Sequence, residues 1–249
     1  MGMIGPWNSQ AITRSAMRVF VYEGEEIMLT EDYLIKMINL ALAALLRIVG
    51  LRKNGDYTEA LMLIDLTFEQ LLGLRASMVK SLDDDHLYYL LTNNDVLDAR
   101  RLALIASLFH EEGDIYAAQN RAEESQADYT RALRYFLEVS FSEDAPTVED
   151  LTGRIEDLIQ KLDIPNLGSE TLWPLSSYYE QNSAYDEAEK ILLILVERNA
   201  IRLQILPEVI AFYQRLLEKS PDALTAGGIS QAQARERLSH WRQVAGDSL

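Results

Sequence analysis

The chain has 249 residues, with 23 basic against 39 acidic for a formal charge of −16, no cysteine and 48% hydrophobic residues. That apolar content is too high for a disordered chain and suffices for one sizeable core, while the absence of cysteine excludes disulfides, thiolate nucleophiles, iron–sulfur clusters and cysteine zinc sites. The acidity argues against nonspecific binding to nucleic acid or to an anionic membrane, because phosphate rewards clustered Lys and Arg.

Residues 1–27 read as non-structural. Arg14 and Arg18 are followed only by the brief apolar Val19-Phe20-Val21-Tyr22, too short for the centre of a secretion signal. Glu23-Gly24-Glu25-Glu26-Ile27 corresponds to a purine-rich run just ahead of the ATG of Met28, the form a bacterial ribosome-binding site takes when translated. The expectation is therefore a start at Met28 and a single domain over 28–249; the alternative is an ordinary acidic tail. The longest apolar stretch, 37–46, is short for a membrane span and is interrupted by Asn39, so a soluble, cytoplasmic protein is expected.

From Thr30, a suitable N-cap followed by Glu31 and Asp32, a helix is predicted to about Lys53. Apolar residues nearly encircle it, leaving Lys36, Asn39 and Arg47 as a thin polar strip, which predicts a central place in the core. Asn54-Gly55-Asp56 stops it and an amphipathic run over 57–72 follows, making a helical hairpin. Helical runs are next expected over 74–92, 97–118 and 122–139, the last two separated at Gln119-Asn120. Thr147 and Asp150 suggest a capping box ahead of Leu151, Ile155, Leu158 and Leu162, and Ile164-Pro165-Asn166 ends that helix. Further runs cover 171–181, 185–198 and 207–219, with Pro207 suited to a first turn. The last helix follows Gly227-Gly228, with Ser230 and Gln233 as a capping box and Ala234, Leu238 and Trp241 on one stripe. No alternating strand and no Pro-, Gly- or Ser-rich linker occurs, so the fold class is all-α in one continuous domain.

A recurring signature runs through these helices. Phe109-x3-Gly113-x2-Tyr116, a turn at Asn120, then Ser125-x3-Tyr129-x2-Ala132 resembles the tetratricopeptide repeat, in which small residues let paired helices approach and aromatics fill the gaps. A second copy reads Leu172-x2-Leu175-Ser176-x2-Tyr179, then Tyr185-Asp186-Glu187-Ala188. A weaker one has Gly55, Tyr57 and Ala60 at its turn, with Arg47 where the repeat expects an apolar residue. Ala60, Ser125 and Ala188 lie 65 and 63 residues apart, close to two repeats of about 34 residues each. The resemblance implies a right-handed solenoid of helical hairpins with degenerate repeats. Residues 32–74, the phrase Phe212-Tyr213-Gln214-Arg215-Leu216-Leu217 and the Gly-Gly turn are also similar to an uncharacterised bacterial family related to these repeats, which implies a bacterial cytoplasmic origin and brings no activity.

Chemistry is sparse. The three histidines are His86, His110 and His240. His110-Glu111-Glu112-Gly113-Asp114 resembles a metalloprotease string but lacks the second histidine of a zinc face, so a solvated helix surface is expected. Asp83-Asp84-Asp85-His86 lacks the loop spacing of a calcium hand and reads as a cap with first-turn charges. Gly227-Gly228 lacks the lysine and hydroxyl of a phosphate loop. Arg100-Arg101 and Arg131/Arg134 are expected to form intrahelical ion pairs, and no nucleic acid, membrane, metal or cofactor is expected.

The repeat resemblance nominates an inner wall: Ser107, His110 and Asp114 in the middle copy, and Glu170, Trp173, Ser177 and Glu180 in the later one. Such a wall is acidic and suits a basic or amphipathic protein segment. The first copy contributes Leu42, Leu45, Val49 and Arg52, apolar enough to be covered by another helix or a second subunit in a homodimer. The expected function is noncatalytic protein interaction. The alternative is an enzyme or small-ligand binder with a pocket near His110, Trp173 or Tyr179.

Overall fold

The computed structural model describes residues 31–93, 96–142, 150–198 and 202–246; the readings at residues 1–27, Met28, Thr30 and Thr147 lie outside these. Along the described residues run α1 (Glu31–Asn54), α2 (Tyr57–Leu72), α3 (Ala76–Ser81), α4 (Asp84–Leu91), α5 (Ala99–Ala118), α6 (Ala122–Ser140), α7 (Leu151–Lys161), α8 (Ser169–Gln181), α9 (Tyr185–Arg198), α10 (Arg202–Leu217), α11 (Pro221–Ala226) and α12 (Gln231–Gly246). The protein is all-helical apart from a two-residue antiparallel ladder that pairs β1 (Thr92–Asn93) with β2 (Val96–Leu97), too short to leave an alternating pattern.

Three helical hairpins, α1/α2, α5/α6 and α8/α9, turn in the same way. Gly55, Asn120 and Ser183 each adopt a left-handed backbone, at φ of 85°, 61° and 60°. In each turn the left-handed residue donates its N–H to the carbonyl three residues back, and the next residue donates five back: Asp56 to Leu51, Arg121 to Tyr116, Ala184 to Tyr179. Ala60, Ser125 and Ala188 each lie five residues beyond that turn, and all three are buried. Gly228 closes α11 by the same two bonds, from Gly228 to Thr225 and from Ile229 to Leu224.

Small residues are where helices meet. A Cβ on Gly113 would lie 2.6 Å from the Tyr129 ring, so α5 and α6 approach as closely as glycine permits. A Cβ on Gly227 would lie 2.2 Å from the Tyr185 ring, because the α11–α12 turn sits on the α8–α9 turn, where Asp186 donates its N–H to the Gly227 carbonyl. Ala132, Leu175 and Phe109 are fully buried, and Tyr129 and Tyr185 nearly so, while Tyr57, Tyr116 and Tyr179 are half-buried at the edges of their hairpins.

Several elements differ from the sequence expectation. The run over 74–92 is two helices, because Leu82 is extended and the Asp83 side chain accepts the His86 N–H, starting a new helix. Asp98 caps α5 through the Arg101 N–H, so that helix begins at Ala99. α10 begins at Arg202 with Pro207 inside it, since Ile205 and Leu206 are buried and carry the apolar stripe upstream of the proline. Asp150, itself left-handed at φ 64°, caps α7 through the Gly153 N–H. The Ser230–Gln233 box forms as expected, and Ala234, Leu238 and Trp241 are buried together.

The largest correction concerns the centre. Met37, Ala41 and Ile48 are the buried residues of α1, and its opposite face is open. The central helix is α5, whose residues from Leu102 to Gly113 are all buried between α1, α2 and α6. An apolar circumference predicts burial only if neighbours exist on every side, and α1 packs chiefly on α2 and α5. By length and composition α1 is also apolar enough to cross a membrane, a property shared with core helices of soluble proteins, contrary to the shorter stretch read from sequence.

Candidate functional site

The string His110-Glu111-Glu112-Gly113-Asp114 is the chemical centre of the molecule; its first four residues are buried and Asp114 is partly buried, rather than solvated. Successive helical residues point about 100° apart, so each side chain meets a different element. Glu111 accepts from Arg52 Nε of α1 at 2.7 Å, and Asp114 lies 3.3 Å from the same guanidinium. Glu112, 1% exposed, accepts from Lys80 Nζ of α3 at 2.5 Å. Asp114 also accepts from Lys161 Nζ of α7 and from the Tyr129 hydroxyl of α6, both at 2.8 Å. His110 Nε2 lies 2.8 Å from Asp157 of α7.

Burial lowers the His110 pKa, against the pull of Asp114, so the ring is held neutral. His110 Nε2 also lies 3.3 Å from the Lys161 ammonium, and Nδ1 is buried without a hydrogen-bond partner. Burial also works against the Asp114 carboxylate, but Lys161 and Tyr129 outweigh it and hold its pKa below the usual value. For Lys80, Glu112 and Asp65 overcome burial and push the ammonium up to about 12.

One corner of this hub is under-satisfied. Glu112 Oε2 and Asp128 Oδ2 are both buried without a hydrogen-bond partner. Burial first, then the charge of Glu112, pushes the Asp128 carboxyl up to about 7. Two neighbouring carboxyls of this kind hold a proton that isolated ones release. Tyr116 donates to Glu112 at 3.0 Å, with the Arg121 guanidinium 4.1 Å above its ring.

The sequence-derived wall divides into two. Ser107, His110 and Asp114 do lie on one face of α5, and α7, packed chiefly on α6, reaches that face with its polar side chains. Arg154 lies 3.5 Å from Ser107 Oγ, Asp157 meets His110, and Lys161 meets Asp114, while Ile155, Leu158 and Leu162 are buried. On α8, Glu170 and Ser177 are exposed and Trp173 and Glu180 half-buried. Glu170 accepts from Arg134 at 3.1 Å, and Glu180 is gripped by Arg215 of α10 at 2.8 and 2.9 Å.

Arg131 and Arg134 join separate elements rather than pairing with acids of their own helix, whereas Arg101 forms the expected local pair with Asp98. Arg131 covers the Phe109 ring at 4.5 Å and donates to the Lys80 and Leu82 carbonyls, closing the end of α3. Arg134 joins Asp84 and Glu170, and Arg101 reaches the Leu71 and Leu90 carbonyls besides its own cap Asp98. Asp83 caps α4 and meets His86 Nδ1 at 2.6 Å, as a cap reading requires. No group of three or more His, Cys, Asp or Glu able to hold a metal ion occurs among the described residues.

Sequence reasoning did not find the partners Arg52, Lys80, Asp157 and Lys161. The available signal was the setting of the acidic string: apolar Leu102–Phe109 before it and Ile115 after it mean that its charges enter the interior and need cations. No curated protein and no solved structure matches the chain. Residues 28–246 match a family of unknown function (DUF6483), and the chain belongs to that family.

Proposed function

We propose that the protein is a noncatalytic interaction module, a tetratricopeptide-like stack of helical hairpins whose inner wall receives basic or amphipathic protein segments, acting in a bacterial cytoplasm. The observation that carries this reading is the seating of α7. It is an amphipathic helix that buries Ile155 and Leu158 and brings Lys161 onto Asp114 and Arg154 toward Ser107, and so exemplifies the segment such a wall accepts. The three equivalent turns at Gly55, Asn120 and Ser183 support the repeat reading, since stacked identical hairpins make extended walls. The continuation of the wall on α8, with Glu170, Trp173 and Ser177, is the surface offered to a partner.

A photo-crosslinking residue at Ser177, expressed in the native host, tests this. A discrete protein adduct is expected at position 177, weakened by Glu170→Lys. Adducts at Ser177 no stronger than at the exposed Gln243 would overturn the assignment.

A further inference from the structure

We propose that the outer face of the α1–α2 hairpin pairs with the same face of a second copy of this chain. Six of the ten large hydrophobic residues exposed among the described residues lie on this hairpin: Ile35, Leu40, Leu42, Leu46, Met62 and Leu66. Leu46 is 78% exposed, Leu42 48% and Ile35 43%. A monomer seldom leaves so concentrated an apolar face in water.

The spacing says what kind of partner fits. Residues 35, 42 and 49, with 38 and 45 beside them, repeat every seven positions, the period of a helix–helix seam. Centred on Leu42, an antiparallel two-fold pairing sets Ile35 against the partner copy's Val49 and Leu42 against its own equivalent, so the face is complementary to itself. At 24 residues α1 is about 36 Å long, and with α2 alongside the face is about 20 Å wide, or roughly 700 Å² in projection. A standard interface takes about 600–1,000 Å² from each partner, so one such face falls within that range.

Charge separates this occupant from others. No acidic residue falls between positions 33 and 55, while Lys36, Arg47 and Lys53 are exposed there. A basic segment is thus steered to the acidic surfaces elsewhere, and a net charge of −16 opposes docking on an anionic bilayer. Arg47 of α1 is paired with Glu59 of α2 within the hairpin, so neither of these charges is left to repel a second copy at the rim. The hairpin is already fixed to the body, through Arg52 to Glu111 and Asp114 and through buried Met37, Ala41 and Ile48, and so presents a rigid face.

Sedimentation equilibrium of the full chain at concentrations up to about 100 µM tests the pairing. The expected mass is twice the 28.3 kDa of one chain, falling to one chain in a Leu42→Glu/Leu46→Glu variant of unchanged helicity and unchanged for Tyr89→Glu. Because the chain has no cysteine, Leu42→Cys supplies a unique thiol, and oxidation should link it to its equivalent far faster than Leu193→Cys. A monomeric full chain overturns the proposal. So does a dimer that survives the double glutamate variant, equal crosslinking at both cysteines, or flotation of a monomer with phosphatidylcholine vesicles. None of these outcomes bears on the α8 wall, which is tested separately at Ser177.

Discussion

Asp128 shows how a single carboxyl carries the tension of a buried acidic hub. Its Oδ2 and the Oε2 of Glu112 share an interior corner with no hydrogen-bond donor for either. Burial and then Glu112 raise the Asp128 pKa to about 7, whereas in the unfolded chain it returns to about 3.9. Between those values the folded state keeps a proton that the unfolded state has lost. Stability therefore falls as pH climbs from about 4 to 7 and is level above that. Asp128→Asn imitates the protonated form without the titration. The variant should match the parent near pH 4 and exceed it at pH 8 by on the order of 1–3 kcal/mol in urea unfolding. An equal difference at both pH values would show that the proton is not held there. His110 works in the other sense: a ring kept neutral by burial withholds stability as pH falls below about 6.5, where the unfolded chain takes up a proton.

At the scale of elements, α7 is the piece on which the proposed function rests. Its 11 residues are too few to hold a helix alone in water, so its order comes from the wall beneath it. Leu158 and Ile155 supply the apolar contact, and Asp157 and Lys161 the polar one. Leu158→Ala should cost about 2–5 kcal/mol of local stability. Hydrogen exchange should rise across Leu151–Lys161 while the α5/α6 hairpin, with its own buried seam, stays protected. Equal loss of protection in both would mean that α7 is part of the indivisible core rather than an occupant of a wall. Its apolar face was legible at Leu151, Ile155, Leu158 and Leu162; its seat on the α5/α6 hairpin, chiefly on α6, was not, because nothing in a local pattern says which distant surface an amphipathic face will cover.

Over the whole molecule the packing is serial. The α1/α2 hairpin rests on α5, α8 rests on α6, and α10 links α9 to α12. In such a chain of neighbours the middle gains from both sides and the ends from one. Native-state hydrogen exchange should therefore find the highest opening free energy in α5 and α6, with α1/α2 and α10–α12 opening at lower cost; uniform opening would point to one globular unit. The sequence by itself determined the all-helical class, the positions of the three hairpin turns and the small residues that follow them. Each of those depends on a few adjacent residues: a left-handed turn at Gly55, Asn120 or Ser183, and a small residue five further on. Only the tertiary structure decided that α5 rather than α1 is central, and that His110 to Asp114 is an ionic hub rather than a wet surface. The physical reason is common to both. Burial is not a property of a helix but of what surrounds it, and Arg52, Lys80 and Lys161 reach that hub from 59, 32 and 47 positions away in the chain.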